Sequence, residues 1–387
     1  MRRRDALRKL GLAGGLALLN RQVRASQPRR RATKEGRRLE YVGWQVGVTY
    51  QTRAPGGLDR DDLMRLLDEM AQHRMNLLSL MMISYGYFDP EHDGYCWPVQ
   101  TKKLRCYLDA KATNADPSSE FVRQIVSEAG QRRIAVQLFM NWGIWNPTRI
   151  TEQYPDACLQ MDRRGRPRGW LHCPDSPGAW QLGLDEVTDL LGYYDHPNVV
   201  SYAFERISYS GKSACTCDYT KRAYREATGK ELLDAPPVAV ESWKNRHIAG
   251  YLSRYVQHIK KRHPKHAVCL HTQCSPGWGH DPERLPQCGV AYLLPHVIQF
   301  PETRESLHRK WRRMAPNKLV LHFCTRDRRP TNYKLWIKTP KIIAQAIDWT
   351  LDYPGENLSG LLFFNETATS PRNKRAVYEQ IKRFAWS

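Results

Sequence analysis

The sequence predicts an α/β protein built as a (β/α)8 TIM barrel with loop inserts at its C-terminal face, and three observations carry that prediction. Strand-like and helix-like segments alternate through eight successive units between Tyr41 and Phe384, the order produced by a parallel sheet with crossover helices. No Gly-x-Gly-x-x-Gly run follows the first strand, which argues against a doubly wound nucleotide fold. No period of 20 to 50 residues repeats, which argues against a solenoid. At 387 residues, 41% hydrophobic and 10% aromatic, the chain has the length and the core material for one such barrel.

The first strand spans Tyr41 to Tyr50 and leads to a helix opened by Asp59, with Met64, Leu67 and Met70 at helical spacing. The second strand, Asn76 to Tyr85, runs into a long loop, and a helix from Ser118 to Gln131 precedes the third strand, Ile134 to Asn141. After an aromatic loop, the Ser176 to Tyr194 helix leads to the fourth strand, Asn198 to Glu205. A helix from Trp243 to Arg262, strand Ala267 to Gln273 and strand Val290 to His296 form the fifth and sixth units. Helix Thr303 to Met314 feeds strand Leu319 to Cys324, helix Pro340 to Leu351 feeds strand Ser359 to Phe364, and a helix from Pro371 closes the chain.

The fourth strand is the one the site is read from. Its apolar and aromatic run contains no Gly or Pro and delivers Glu205 and then Arg206 at its C-terminal end. With Glu205 pointing into the barrel, period-two alternation turns Val199, Ser201 and Ala203 inward and Val200, Tyr202 and Phe204 toward the helices. Beyond it, Cys215-Thr216-Cys217 leads into a short helix from Tyr219 closed by Gly229, an insert on the loop after the strand.

That insert and the upstream turn Cys173-Pro174-Asp175-Ser176-Pro177 together resemble the uncharacterised glycosyl-hydrolase-like TIM barrels related to the α-L-fucosidase and β-galactosidase families. The shared pattern is a Cys-Pro-x-Ser-Pro turn, a helix, an apolar strand ending in an acid, clustered cysteines and an aromatic-Arg-Glu-x-Thr-Gly segment. The likeness covers roughly 60 residues. The chain departs from the pattern where Asp218 to Lys221 replace a further Cys, and where Pro197-Asn198 replaces an Asp-Gly pair. The resemblance implies glycosidic-bond hydrolysis, with a strand-four carboxylate as nucleophile. The fucosidases use Asp there, so the role passes to Glu205 by position.

Active sites of such barrels lie at the C-terminal ends of the strands. Those ends carry Trp44, Gln45 and Tyr50; Ser84, Tyr85 and Tyr87; Asn141, Trp142 and Trp145; Glu205 and Arg206; His271 and Gln273; His296; His322 and Asp327; and Asn365 and Glu366. Aromatic platforms, imidazoles, amides and two carboxylates suit carbohydrate, whose ring faces stack on Trp and Tyr while its hydroxyls take directional hydrogen bonds. Glu205 is read as nucleophile or base and Glu366, at the end of the opposite strand, as acid/base. Trp44, Tyr85, Asn141, Trp142, Trp145, Arg206, His271, His296, His322 and Asn365 are read as substrate-binding. Asp327 is the fallback carboxylate. No cofactor or metal is expected. The alternatives are a barrel that binds polysaccharide without cleaving it, and a metal-dependent hydrolase or isomerase using His271, His296 and His322. The second lacks the His-x-His that an amidohydrolase-type barrel needs on strand one.

The net charge is +21, and residues 1–40 hold thirteen Lys/Arg against three Asp/Glu. Residues 1–25 read as an export signal of twin-arginine type, with Arg3-Arg4, an apolar stretch from Leu10 to Leu19 and Val23-Arg24-Ala25 as a cleavage site. Residues 26–39 read as a disordered basic spacer, and residues 40–387 as the barrel domain. An exported, periplasmic or secreted protein follows, with no membrane contact after removal of the signal. Taking away residues 1–25 removes seven Lys/Arg and one Asp/Glu and leaves +15. Such a surface favours an anionic partner, an acidic or sulfated polysaccharide first, or serves solubility alone. Scattered Arg without aromatic interleaving argues against nucleic acid. Of the ten cysteines, Cys215 and Cys217 lie too close for an easy mutual bridge and lack the second Cys-x-x-Cys of a zinc site, which favours structural thiols or bridges to a loop cysteine over a metal site.

Overall fold

A computed structural model describes residues 38–48, 57–58, 60–84, 94–107, 121–141, 151–205, 207–209, 213–272, 278–298, 302–327, 337–364 and 366–386. Eight parallel strands form the barrel wall: β1 (Tyr41–Val48), β2 (Leu77–Met81), β3 (Ala135–Asn141), β4 (Val199–Glu205), β5 (Ala267–Thr272), β6 (Tyr292–Val297), β7 (Lys318–Cys324) and β8 (Leu358–Phe364). Each pairs with its neighbour in sequence, and β8 pairs with β1 from Gly360↔Tyr41 to Phe364↔Gln45, which closes the sheet. The helices are α1 (Arg60–Gln72), α2 (Phe121–Gln131), α3 (Pro177–Tyr193), α4 (Asp218–Thr228), α5 (Pro237–Arg262), α6 (Arg304–Arg313), α7 (Pro340–Leu351) and α8 (Pro371–Ile381). A short 3-10 turn, Leu285–Cys288, stands between β5 and β6. The predicted barrel is thus the observed one.

Two apolar cores follow from the pleat. The inner one is small and contains Leu77, Phe139, Ala203, Cys269, Tyr292, Leu294, Val320 and Leu362. The outer one lies between the strands and helices and holds the bulk of the buried aromatics. On β4, Ala203 faces the bore, while Tyr202 and Phe204 pack on Tyr255 of α5, with the two tyrosine hydroxyls 2.9 Å apart. Val199 departs from the expected alternation. The β3–β4 register shifts between Val199 and Ser201, and Val199 joins the outer core.

The Cys-Pro-Asp-Ser-Pro turn is the N-terminus of α3. Ser176 caps it by accepting from the Ala179 N–H at 3.3 Å, Pro177 occupies the first turn, and the same Ser176 Oγ accepts from the Cys158 N–H at 3.0 Å. Gly178 is required there: a Cβ would come within 2.3 Å of the Ala157 backbone nitrogen. The region after β3 that sequence reads as loop contains a hairpin, Leu159–Met161 against Pro167–His172, turning at Gly165 with φ +72°. At the end of the expected spacer, Arg38–Leu39 pairs in parallel with Ala385–Trp386. Residues 1–37, which include the export signal and its cleavage site, lie outside the described residues.

Candidate active site at the barrel mouth

The inward side chains divide the bore in two. Across β1 to β4 runs a chain of amides and hydroxyls: Gln45 Nε2 donates to Ser79 Oγ (3.4 Å), Ser79 Oγ to Gln137 Oε1 (3.0 Å), and Gln137 Nε2 to Ser201 Oγ (3.2 Å). Across β5 to β7 stand His271, His296 and His322, with ring centroids 4.6 to 6.1 Å apart. Phe139 packs on His271 at 4.5 Å and Phe364 on His322 at 5.2 Å, so apolar rings flank the imidazoles.

Glu205 sits at the top of β4, in register with Asn141 of β3. Its Oε1 lies 3.7 Å from His296 Nε2, and both side chains are 13% exposed. Asn141 is buried, and its Oδ1 has no hydrogen-bond partner among the described residues. Burial pushes the His271 imidazole down to about 3 and holds His322 well below its usual value, with the neighbouring histidines adding to the effect. Both rings are therefore neutral at physiological pH. Arg326, on the loop after β7, lies over the Phe364 ring at 4.2 Å, and burial lowers it to about 10.

Of the residues read as site residues, Glu205, Asn141, His271, His296 and His322 meet here. Trp44 does not: it faces the helical layer, is fully buried, and donates from Nε1 to the Tyr378 hydroxyl at 3.2 Å. Its strand neighbour Gln45 takes the inward position, as alternation requires. Glu366 opens a 3-10 turn after β8 and is ion-paired with Lys374 of α8, with Glu69 of α1 3.8 Å from the same ammonium. Burial raises its carboxyl and Lys374 opposes that rise. Its ion-pair partner and that partner's other neighbour therefore belong to the helical layer, whereas Glu205 meets His296 in the bore. Asp327 is structural: its carboxylate accepts from the Ser370 N–H at 2.8 Å at the start of α8. Tyr85, Trp142, Trp145, Arg206 and Asn365 lie outside the described residues, as do Tyr50, Tyr87 and Gln273.

Two features behind the mouth were not read from sequence. His280 bridges the loops after β4 and β5, with Nδ1 3.0 Å from Thr272 Oγ1 and Nε2 3.1 Å from the Ile207 carbonyl. Asp175 is a buried acceptor for Tyr209, Thr220 and His247, the last at 2.6 Å; burial raises its carboxyl, but these hydrogen bonds outweigh that and hold it below the usual range. Beside it the thiols of Cys158, Cys173 and Cys217 converge, and Cys215 Sγ accepts from the Met161 and Cys217 N–H groups at 3.2 and 3.3 Å. Sulfur donors so grouped could hold a soft or borderline metal ion, and they could equally form a disulfide. The paired Cys-Thr-Cys and the Cys-Pro turn were the signal for this cluster; Cys158, carried on the unread hairpin, gave none.

No known family profile matches the chain, and no curated protein matches it. Solved structures do match. The glycoside hydrolase domain of PgaB (BpsB) from Bordetella bronchiseptica is 14% identical, with a TM-score of 0.62 covering 87% of this chain and 97% of that one. The β-galactosidase of Bacillus circulans sp. alkalophilus is 13% identical, with a TM-score of 0.61 over 89% of this chain and 56% of its own. A GH20 exo β-N-acetylglucosaminidase from Vibrio harveyi is 10% identical, with a TM-score of 0.52 over 89% of this chain and 53% of its own. The chain thus spans a little over half the length of the latter two. At such identities the likeness is one of fold: this is a (β/α)8 barrel whose structural neighbours are glycoside hydrolases.

Proposed function

We propose that the chain is a glycoside hydrolase acting on an O-glycosidic bond, with Glu205 as its nucleophile or base. The observation that carries this is the placement of Glu205: a carboxylate facing the bore at the C-terminal end of β4, beside Asn141 and His296. Its support is the shared barrel, which matches almost the whole of the PgaB glycoside hydrolase domain. The surroundings of Glu366 do not support an acid/base role for it, because its carboxyl is ion-paired with Lys374, whose ammonium also neighbours Glu69 among the helices. The +15 of residues 26–387 supports an acidic or sulfated polysaccharide as substrate, met outside the cytoplasm if the amino-terminal arginine pair directs export. No helix among the described residues is long and apolar enough to cross a membrane.

The pairing of Glu366 with Lys374 also favours a second reading, a barrel that binds carbohydrate without cleaving it. Substitution of Glu205 separates the two. Glu205→Gln keeps the side chain's shape and removes its charge, so the hydrolase reading expects turnover of a reporter glycoside to fall at least a hundredfold with melting temperature held. Undiminished turnover removes Glu205 from the mechanism. A wild type that binds glycans and turns none over establishes the binding barrel.

A further inference from the structure

We propose that His271, His296 and His322 form a binding site for a divalent first-row transition ion, with zinc as the reference ion, facing Glu205 across the floor of the mouth. Three consecutive strands each place an imidazole inward. In the strand register His296 stands opposite His322, while His271 stands opposite Leu294, one inward position lower, so the three rings form a triangle and not a row. One nitrogen from each ring lies within 4.8 Å of the others. Zn–N bonds of about 2.0–2.1 Å put tetrahedral donors roughly 3.4 Å apart, so small ring rotations close the triangle around an ion. His322 Nδ1 is already 3.3 Å from His296 Nδ1.

The second observation is independent of the spacing. Both nitrogens of His271, Nε2 of His296 and Nε2 of His322 are buried and have no hydrogen-bond partner among the described residues. A buried nitrogen left unmet is costly, and an ion takes one nitrogen from each ring, so His271, which has neither nitrogen met, would gain a partner. A sugar ring cannot enter between imidazoles whose centroids are 4.6 to 6.1 Å apart, whereas a single ion can. Neutral imidazole is the donor that suits borderline ions such as zinc, nickel or cobalt. Three histidines leave a fourth position, and the Glu205 carboxylate beside His296 offers the negative charge that balances an ion there and offsets the nearby Arg326.

The site is tested on the full chain, stripped with a chelator, reloaded with zinc or Co(II), and assayed for bound metal by mass spectrometry. The cysteine cluster is a second sink, and it is told apart by the near-ultraviolet thiolate-to-cobalt charge-transfer band that imidazole ligands do not give. The expected result is that His322→Ala loses one ion per chain relative to wild type and keeps whatever thiolate band the wild type shows. His296→Gln, which alters the least buried of the three, should bind at least tenfold more weakly and serves if His322→Ala does not fold. Equal metal content in wild type and the folded variants overturns the proposal, as does a wild type whose bound cobalt is all thiolate-linked. Since the readout is metal content without substrate, its failure is distinct from failure of the glycosidase reading.

Discussion

Glu205 ends one barrel strand and Glu366 follows another, yet one meets an imidazole in the bore and the other an ammonium among the helices. Period two made the direction of Glu205 legible, because it is the last residue of a regular strand. It could not do so for Glu366, which begins a 3-10 turn where alternation no longer applies. The same alternation should have turned Trp44 away from the mouth, since Gln45 holds the inward position beside it, and reading Trp44 as substrate-binding overlooked that. A carboxyl that sequence did not single out makes the sharpest titration. Glu186 of α3 is buried, its Oε1 accepts from the Tyr95 hydroxyl at 2.8 Å, and burial pushes it up to about 8 from an ordinary 4.5. The folded chain keeps a proton that the unfolded chain releases. The stability this contributes is fully present below about pH 4.5 and is lost as pH rises through about 8. Glu186→Gln holds the same hydrogen-bond geometry without a charge, so its denaturation midpoint should decline less across that window than the wild type's. Parallel pH profiles for the two would show that Glu186 ionises as freely folded as unfolded.

Among the elements, most barrel strands and helices fall close to the expected boundaries because their apolar periods are strong and their caps explicit, but α5 starts at Pro237, well ahead of the expected Trp243. Gly229 ends α4 at φ +68°, and Thr339 caps α7 ahead of Pro340. The hairpin after β3 was not legible, since its charged turn, Asp162 to Arg166, carries no apolar alternation. What fixes that hairpin is tertiary: the thiols of Cys158, Cys173, Cys215 and Cys217, and the Asp175 carboxylate that gathers Tyr209 from the β4 loop, Thr220 from α4 and His247 from α5. Asp175→Ala strips the acceptor from three donors at once, with each buried donor left unmet costing about 1–3 kcal/mol. The expected loss is about 3 kcal/mol or more in chemical denaturation, with proteolytic cleavage between Cys158 and Gly229 faster than elsewhere. A variant as stable and as protease-resistant as wild type would mean that these donors find water instead.

For the whole molecule, alternation of eight units was enough to specify the barrel, and the barrel reading put His271, His296 and His322 at the ends of consecutive strands. That their rings meet was not legible, because it depends on the register of β5, β6 and β7 side by side. Charge is the other property that belongs to the molecule as a whole. Residues 26–387 carry +15, and the basic groups are spread along the chain. A field of that sign raises the local concentration of a polyanion and is screened beyond about 8 Å at physiological ionic strength. An acidic polysaccharide recognised through this field should therefore lose affinity steeply as salt rises from low to physiological concentration and above. A neutral glycan of the same length, held by stacking and hydrogen bonds, should bind with little salt dependence. Titration of both polymers against the chain over that salt range gives the comparison. A neutral glycan bound more tightly than the acidic one at every salt concentration would remove anionic polysaccharide as the substrate class and leave the charge to solubility.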